Sequence, residues 1–264
     1  MSECMADLEY EVSNGVGTIR LNRPAKKNSF TMEMIDDWAA IYRDARTDDD
    51  VRVLVLTGTG DSFCAGADMS ALDASQARPL DRKTLLTDRV HRVAFAFEDL
   101  DKPVIAAVNG VAVGAGMDMA LMCDIRLAAR SARFSEGYVR LGIVPGDGGC
   151  YYLPRLIGPA RAMELLMTGD FVDADEAERI GIVNHVYDDD KLRDETNALA
   201  QRLADGPPVA IRMIKRALYQ SAHSDLRTSL DLISSHMAVV QSTNDANEAF
   251  EAFQERRKPH YQGS

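Results

Sequence analysis

Positive charge is what this sequence lacks most plainly. Its 264 residues hold 30 lysines and arginines against 41 aspartates and glutamates, a net charge of −11. Nucleic acids and anionic membranes both recruit basic surfaces, so neither is expected as a partner. Cysteine is sparse too. Cys4, Cys64, Cys123 and Cys150 form no C-x-x-C pair and no cluster with histidine. That argues against a zinc site or a disulfide framework, and for buried thiols in a reducing, cytoplasmic setting. Met1-Ser2-Glu3-Cys4 shows no basic-then-apolar pattern of a signal peptide. Nor is there a membrane-length apolar run: residues 104–123 are broken by Asn109, several glycines and Asp118. What remains, 46% hydrophobic and 27% charged residues, is the balance of an ordinary globular protein, long enough for one large domain or a core with a smaller appendage.

The pattern along the chain predicts an α/β fold. Residues 8–12 and 16–21 alternate around Asn14-Gly15, which reads as a hairpin. Ser29 or Thr31 is placed to cap a helix carrying Met34, Ile35, Trp38 and Ile41 on one face. Val53-Leu54-Val55-Leu56, Val104-Ile105-Ala106-Ala107-Val108 and Ile125-Arg126-Leu127-Ala128 are short apolar runs, as expected of strands buried on both faces. Residues 70–82 read as a loop or a frayed helix, with an amphipathic helix from Thr84. From Pro159 onward helical faces dominate. The expected organisation is an α/β core over 1–200 and a helical region over 201–264.

Three glycine-rich segments follow or join these strands: Ser62-Phe63-Cys64-Ala65-Gly66-Ala67-Asp68, residues 109–118, and residues 141–149. Small residues let a ligand approach backbone N–H groups, and two converging N–H groups hold a developing oxyanion. None of the three is a dinucleotide or P-loop motif. Asp118, Glu136 and Asp147 supply carboxylates within or between them. Partial burial would raise such groups toward a useful acid/base range, although on spacing alone a helix-dipole or cap role for Asp118 and a turn role for Asp147 are the better explanations.

The set of segments resembles the crotonase superfamily, the enoyl-CoA hydratase/isomerase family. The matching pieces are Leu21-Asn22-Arg23-Pro24, Phe63-Cys64-Ala65-Gly66-Ala67-Asp68, residues 102–110, Cys123-Asp124-Ile125-Arg126 and residues 141–149, in the family's order. The resemblance implies a spiral of ββα turns, with a C-terminal helical region that builds a homotrimer or hexamer. It implies an acyl-CoA thioester as substrate, coenzyme A entering with it rather than as a separate cofactor, no metal, and a place in fatty acid metabolism. Carried onto this chain, the oxyanion donors fall on Ala67 and Ala115, the second being usually glycine in the family. Lys26, Ala65, Gly66 and Asp68 would line coenzyme A, with Lys258 among the basic residues meeting its phosphates. The first of the two hydratase glutamates falls on Asp118. The second falls on Tyr138, which is no base near neutral pH, leaving Glu136 and Asp147 as nearby substitutes. Gly146 marks the position where some family isomerases and dehalogenases place a single carboxylate. The leading expectation is hydration of a 2-enoyl-CoA. The alternatives are a Δ3–Δ2 double-bond isomerase and a non-catalytic acyl-CoA-binding oligomer.

Overall fold

The computed structural model describes residues 7–68 and 78–264. Leu8–Ser13 (β1) and Val16–Leu21 (β2) pair antiparallel around Asn14-Gly15, whose φ angles of 52° and 81° suit a tight hairpin. Met32–Thr47 (α1) follows. Thr31, rather than Ser29, caps it, its side chain accepting from the Met34 N–H at 3.3 Å.

The chain then repeats one pattern. Val53–Gly58 (β3) is followed by Ser62–Cys64 (β4), Val104–Val108 (β5) by Val111–Val113 (β6), and Ile125–Ala129 (β7) by Arg133–Ser135 (β8). The first strand of each pair enters a six-stranded sheet, ordered β1-β2-β3-β5-β7-β10, where β10 is His185–Tyr187. The second enters a four-stranded sheet, ordered β4-β6-β8-β9, where β9 is Val172–Asp173. Helices complete each turn: Pro79–Leu85 (α2) and His91–Glu98 (α3), then Ala115–Met122 (α4), then Gly149–Ile157 (α5). This is the ββα spiral that the family resemblance implies. The helix expected from Thr84 begins earlier, at Pro79, and passes through a π-helical stretch, Leu86–Val90. Positions 70–77 of the expected loop lie outside the described residues.

Burial on both faces explains the uninterrupted apolar runs. In β3, Leu54 and Leu56 face the main core while Val53 and Val55 face the other side. In β5, Val104, Ala106 and Val108 alternate likewise with Ile105 and Ala107. Full burial of each Val, Leu or Ile contributes about 1.5–3 kcal/mol. The second face is covered by Leu192–Ala204 (α8), through Leu192, Ala200 and Ala204. Helix α8 thus packs on the sheet, and the boundary expected near residue 200 falls inside it. Pro159–Thr168 (α6) and Ala174–Ile180 (α7) precede it, with β9 and β10 interrupting a stretch that reads as purely helical in the sequence. Pro208–Ser221 (α9), Leu226–Gln241 (α10) and Asn244–Glu255 (α11) form the all-helical remainder. Cys64 and Cys123 are buried free thiols; Cys150, contrary to the expectation, is exposed, because α5 turns it outward.

Strands β4, β6 and β8 run parallel and side by side. Their C-terminal ends release residues 65–68, 114–118 and 136–138. Ligand sites of open parallel sheets form at such ends, and the candidate residues gather there.

Candidate active site

Gly114 turns β6 directly into α4. Its φ of 53° and ψ of −124° are closed to a residue with a side chain. Its N–H donates to the Ser135 carbonyl at 2.8 Å, tying the turn to β8. Every residue of α4 is buried, so the helix's first N–H groups are cut off from water. Among the described residues, neither the Ala115 N–H nor the Ala67 N–H has an acceptor, although the Asp68 N–H donates to Phe30 O and the Phe30 N–H to Gly66 O, each at 2.9 Å. A Cβ placed on Gly66 would stand 3.5 Å from the Ala115 nitrogen, so the two segments are immediate neighbours.

Asp118 lies in the first turn of α4, yet it does not cap the helix. Its Oδ2 accepts a hydrogen bond from the Tyr138 hydroxyl at 2.6 Å. The same hydroxyl lies 2.8 Å from Asp147 Oδ2. Glu136 joins from the end of β8. A Cβ on Gly149 would fall 2.5 Å from Asp118 Oδ1 and 2.8 Å from Glu136 Oε2, so both oxygens face one small space. Among the described residues, Asp118 Oδ1, Asp147 Oδ1 and both Glu136 oxygens have no hydrogen-bond partner, and the relative exposures of Asp118, Asp147 and Glu136 are 0%, 8% and 1%. An unmatched buried acceptor costs about 1–3 kcal/mol, which favours either a proton or a ligand at these atoms.

Burial raises all three carboxyls above the usual range. For Asp118, desolvation dominates; the bond from Tyr138 opposes it and the neighbouring Asp147 charge adds to it. Glu136 is raised by burial and then by the charge of Asp118. Asp147 is raised by burial, while the Tyr138 bond and His91 pull it down. Tyr138 is driven strongly upward by burial and by the two aspartates, so it stays a neutral phenol. Three carboxyls so close and so dry do not all ionise together; they hold protons in common.

A cavity of about 850 Å³ opens beside this cluster, between α3, α5 and α9. Asp147, Gly148, His91, Tyr151, Tyr152 and Tyr219 are among its walls. His91 fixes the Asp147 loop through its Nε2, 2.8 Å from Gly146 O. His91 and Gly149 escape sequence reading: a single histidine on an amphipathic helix and a glycine in a run of glycines carry no distinguishing signal.

The structure brings Ala67, Gly66, Ala115, Asp118, Glu136, Tyr138, Gly146 and Asp147 into one region. The remaining candidates lie around or away from it. Ala65 N–H donates to Lys27 O at 2.9 Å, beside the turn Pro24–Lys26 that carries Lys26. Asp68 pairs with Arg23 at 2.8 Å. Lys258 pairs with Asp205, the C-cap of α8, at 3.3 Å, on the side of the six-stranded sheet opposite α4. Lys27 is itself paired with Asp61, and Arg257 with Glu248 and Glu255.

Two sheets, each parallel but for one antiparallel edge pair and wound as a ββα spiral, with a buried carboxyl one turn behind N–H groups that have no acceptor among the described residues, define a spiral-fold enzyme with an internal carboxyl cluster. Residues 11–264 match the model of the Enoyl-CoA hydratase/isomerase family. A 1,2-epoxyphenylacetyl-CoA isomerase of Escherichia coli (strain K12) is 38% identical over 96% of this chain and 97% of its own. A short-chain-enoyl-CoA hydratase of Clostridium acetobutylicum is 36% identical over 94% of both chains. The crystal structure of an enoyl-CoA hydratase/isomerase from Cupriavidus metallidurans CH34 superposes with a TM-score of 0.91, at 38% identity, covering 99% of this chain and 98% of that one. The chain belongs to the enoyl-CoA hydratase/isomerase family, within the crotonase superfamily. No helix among the described residues is long and apolar enough to cross a membrane.

Proposed function

We propose that the protein binds an enoyl-CoA, holds its thioester carbonyl on the Ala67 and Ala115 N–H groups, and shifts its double bond. Asp118 removes a proton from the acyl chain, and the electrons of the broken C–H bond flow to the carbonyl oxygen as an enolate. The two N–H groups receive that charge in a site screened from water, where fixed donors act most strongly. Returning the proton to a different carbon completes the shift.

One observation carries this reading. The position that would hold a second hydratase carboxylate is Tyr138, and its hydroxyl is committed to Asp118 and Asp147. Hydration needs a second group to share the added water; a double-bond shift needs only a base that moves one proton. Hydration, the first expectation from sequence, is the second reading. It is favoured by Glu136 beside Asp118 and by the name of the Clostridium relative.

Coenzyme A would lie along Lys26, Ala65, Gly66 and Asp68, with Lys258 reaching its phosphates from a neighbouring subunit. A homotrimer or hexamer would supply that neighbour. Leu226, Phe250 and Phe253 on α10 and α11 are 72%, 65% and 83% exposed, large apolar side chains that an oligomer would cover.

The deciding experiment is incubation with 3-enoyl-CoA and crotonyl-CoA panels, followed by conjugated-thioester absorbance. A gain with 3-enoyl-CoA supports isomerisation. A loss with crotonyl-CoA establishes hydration instead. Tight binding without either change leaves an acyl-CoA-binding oligomer.

A further inference from the structure

The Tyr138 hydroxyl presents a proton-counting problem. It carries one hydrogen and sits within hydrogen-bond distance of two carboxylate oxygens, 2.6 Å from Asp118 and 2.8 Å from Asp147. Ionised carboxylates only accept. Both contacts are hydrogen bonds only when one aspartate is protonated and donates to the phenol oxygen while the phenol donates to the other. The arrangement has two forms, and passing between them moves a proton from one aspartate to the other.

The surroundings give this exchange a direction. Asp118 and Glu136 face each other across the space left by Gly149, and both are sealed from solvent, at 0% and 1% exposure. Asp147 stands at the wall of the cavity between α3, α5 and α9. Tyr138 is the hydrogen-bonded link between the sealed pair and the cavity wall. We propose that Tyr138 is a proton relay joining the Asp118–Glu136 pair to Asp147 and, through Asp147, to the cavity. The proposal rests on the reading of Asp118 as the proton-abstracting base.

The step balances with water in the cavity as the final proton acceptor. While Asp118 is the ionised base, Asp147 holds the shared proton; once Asp118 has taken a proton from the substrate, Asp147 releases its own to water in the cavity, and Asp118 gives its proton to the phenol oxygen. The phenol O–H proton passes to the Asp147 carboxylate. One Asp118 O–H bond breaks, one Asp147 O–H bond forms, and Tyr138 ends neutral as it began. The strong upward shift of Tyr138 agrees with a relay that never rests as tyrosinate. The titratable groups around the path are Glu136, Cys150 and Tyr152 on the Asp118 side, and His91 and Cys64 on the Asp147 side.

The first test needs no substrate. Wild type at neutral pH is mixed with D2O, and the infrared carbonyl band of the buried protonated carboxyls is followed as hydrogen is replaced by deuterium. Tyr138→Phe keeps the ring against Gly114 and removes the link. Exchange is expected to slow by about tenfold or more in Tyr138→Phe. Asp147→Asn breaks the outer end of the same path and should slow exchange likewise, so it carries the test if the tyrosine variant does not fold. Unchanged exchange in a folded variant of either kind overturns the relay. In turnover, a substrate deuterated at the migrating position should lose its label to water with wild type and retain several-fold more of it with Tyr138→Phe. Equal washout overturns the relay. If wild type turns over no enoyl-CoA, the proposed function fails, and the infrared result still decides the relay.

Discussion

Gly149 stands so close to Asp118 that a single methyl group would separate the acid/base cluster. Its Cβ would fall 2.5 Å from Asp118 Oδ1, nearer than such atoms approach. The glycine that opens α5 therefore sets the distance between Asp118 and Glu136, and the rest of the cluster depends on it.

Gly149→Ala is expected to push Asp118 off Tyr138. Overpacking of this kind costs about 1–3 kcal/mol. Turnover should fall by roughly 10², because the base loses its geometry. Thermal melting beside steady-state kinetics checks both numbers, and a fully active alanine variant would show that the cluster has slack.

Gly114→Ala acts on the other half of the site. The nearest atom to an added Cβ is Tyr138 Cε2, at an ordinary 3.6 Å, so the objection is to φ rather than to space. The strain is about 1–3 kcal/mol. Relief of that strain should rotate the Ala115 N–H, lowering kcat with little change in acyl-CoA affinity. Calorimetric binding of an acyl-CoA separates the two effects.

Asp118→Asn preserves size and an acceptor for the Tyr138 hydroxyl while removing the base. Turnover should fall by roughly 10²–10⁴ with acyl-CoA affinity retained. Loss of binding together with activity would assign Asp118 a structural role.

The same substitution has a pH signature. An unfolded aspartate titrates near pH 4, and burial raises Asp118 above that value in the folded chain. Between the two values the folded state holds a proton that the unfolded state has released, so stability falls as pH rises through that window. Asp118→Asn removes this dependence. Its melting temperature should gain on wild type as pH rises from about 4, at roughly 2–4 °C per kcal/mol recovered. If Asp118 is the proposed base, activity should run the opposite way, rising with pH as Asp118 loses its proton. Parallel melts across the pH range test the sign.

Phe250→Glu with Phe253→Glu should dissociate the proposed trimer or hexamer. Light scattering is expected to give three or six chains for the unaltered protein at micromolar concentration, and fewer for the double variant. A wild-type monomer would refute the assembly.

Much of this architecture is legible in the sequence. The hairpin, α1 and the central strands β3, β5 and β7 follow from alternation, capping and apolar runs. Strands β4, β6 and β8 do not, because three residues are too few to show a period, and their pairing partners are far away in sequence. Helices α2 and α3 blur together because the π-helical stretch between them changes the phase of the apolar face. In the site, the carboxylates stand out by type, but their convergence on Tyr138 arises from contacts across 20 and 9 positions that no local pattern encodes. The exposure of Cys150 has no signal in the sequence, because it comes from the outward turn of α5.

The neighbouring ends of β4, β6 and β8 act as three adjacent rungs, each about 4.8 Å from the next. One rung holds Ala67, the next holds both Ala115 and Asp118, and the third holds Glu136 and Tyr138. In the proposed reaction, recognition of the carbonyl and movement of the proton would therefore overlap only on the middle rung. On that division a change at an outer rung would alter one task and leave the other in register.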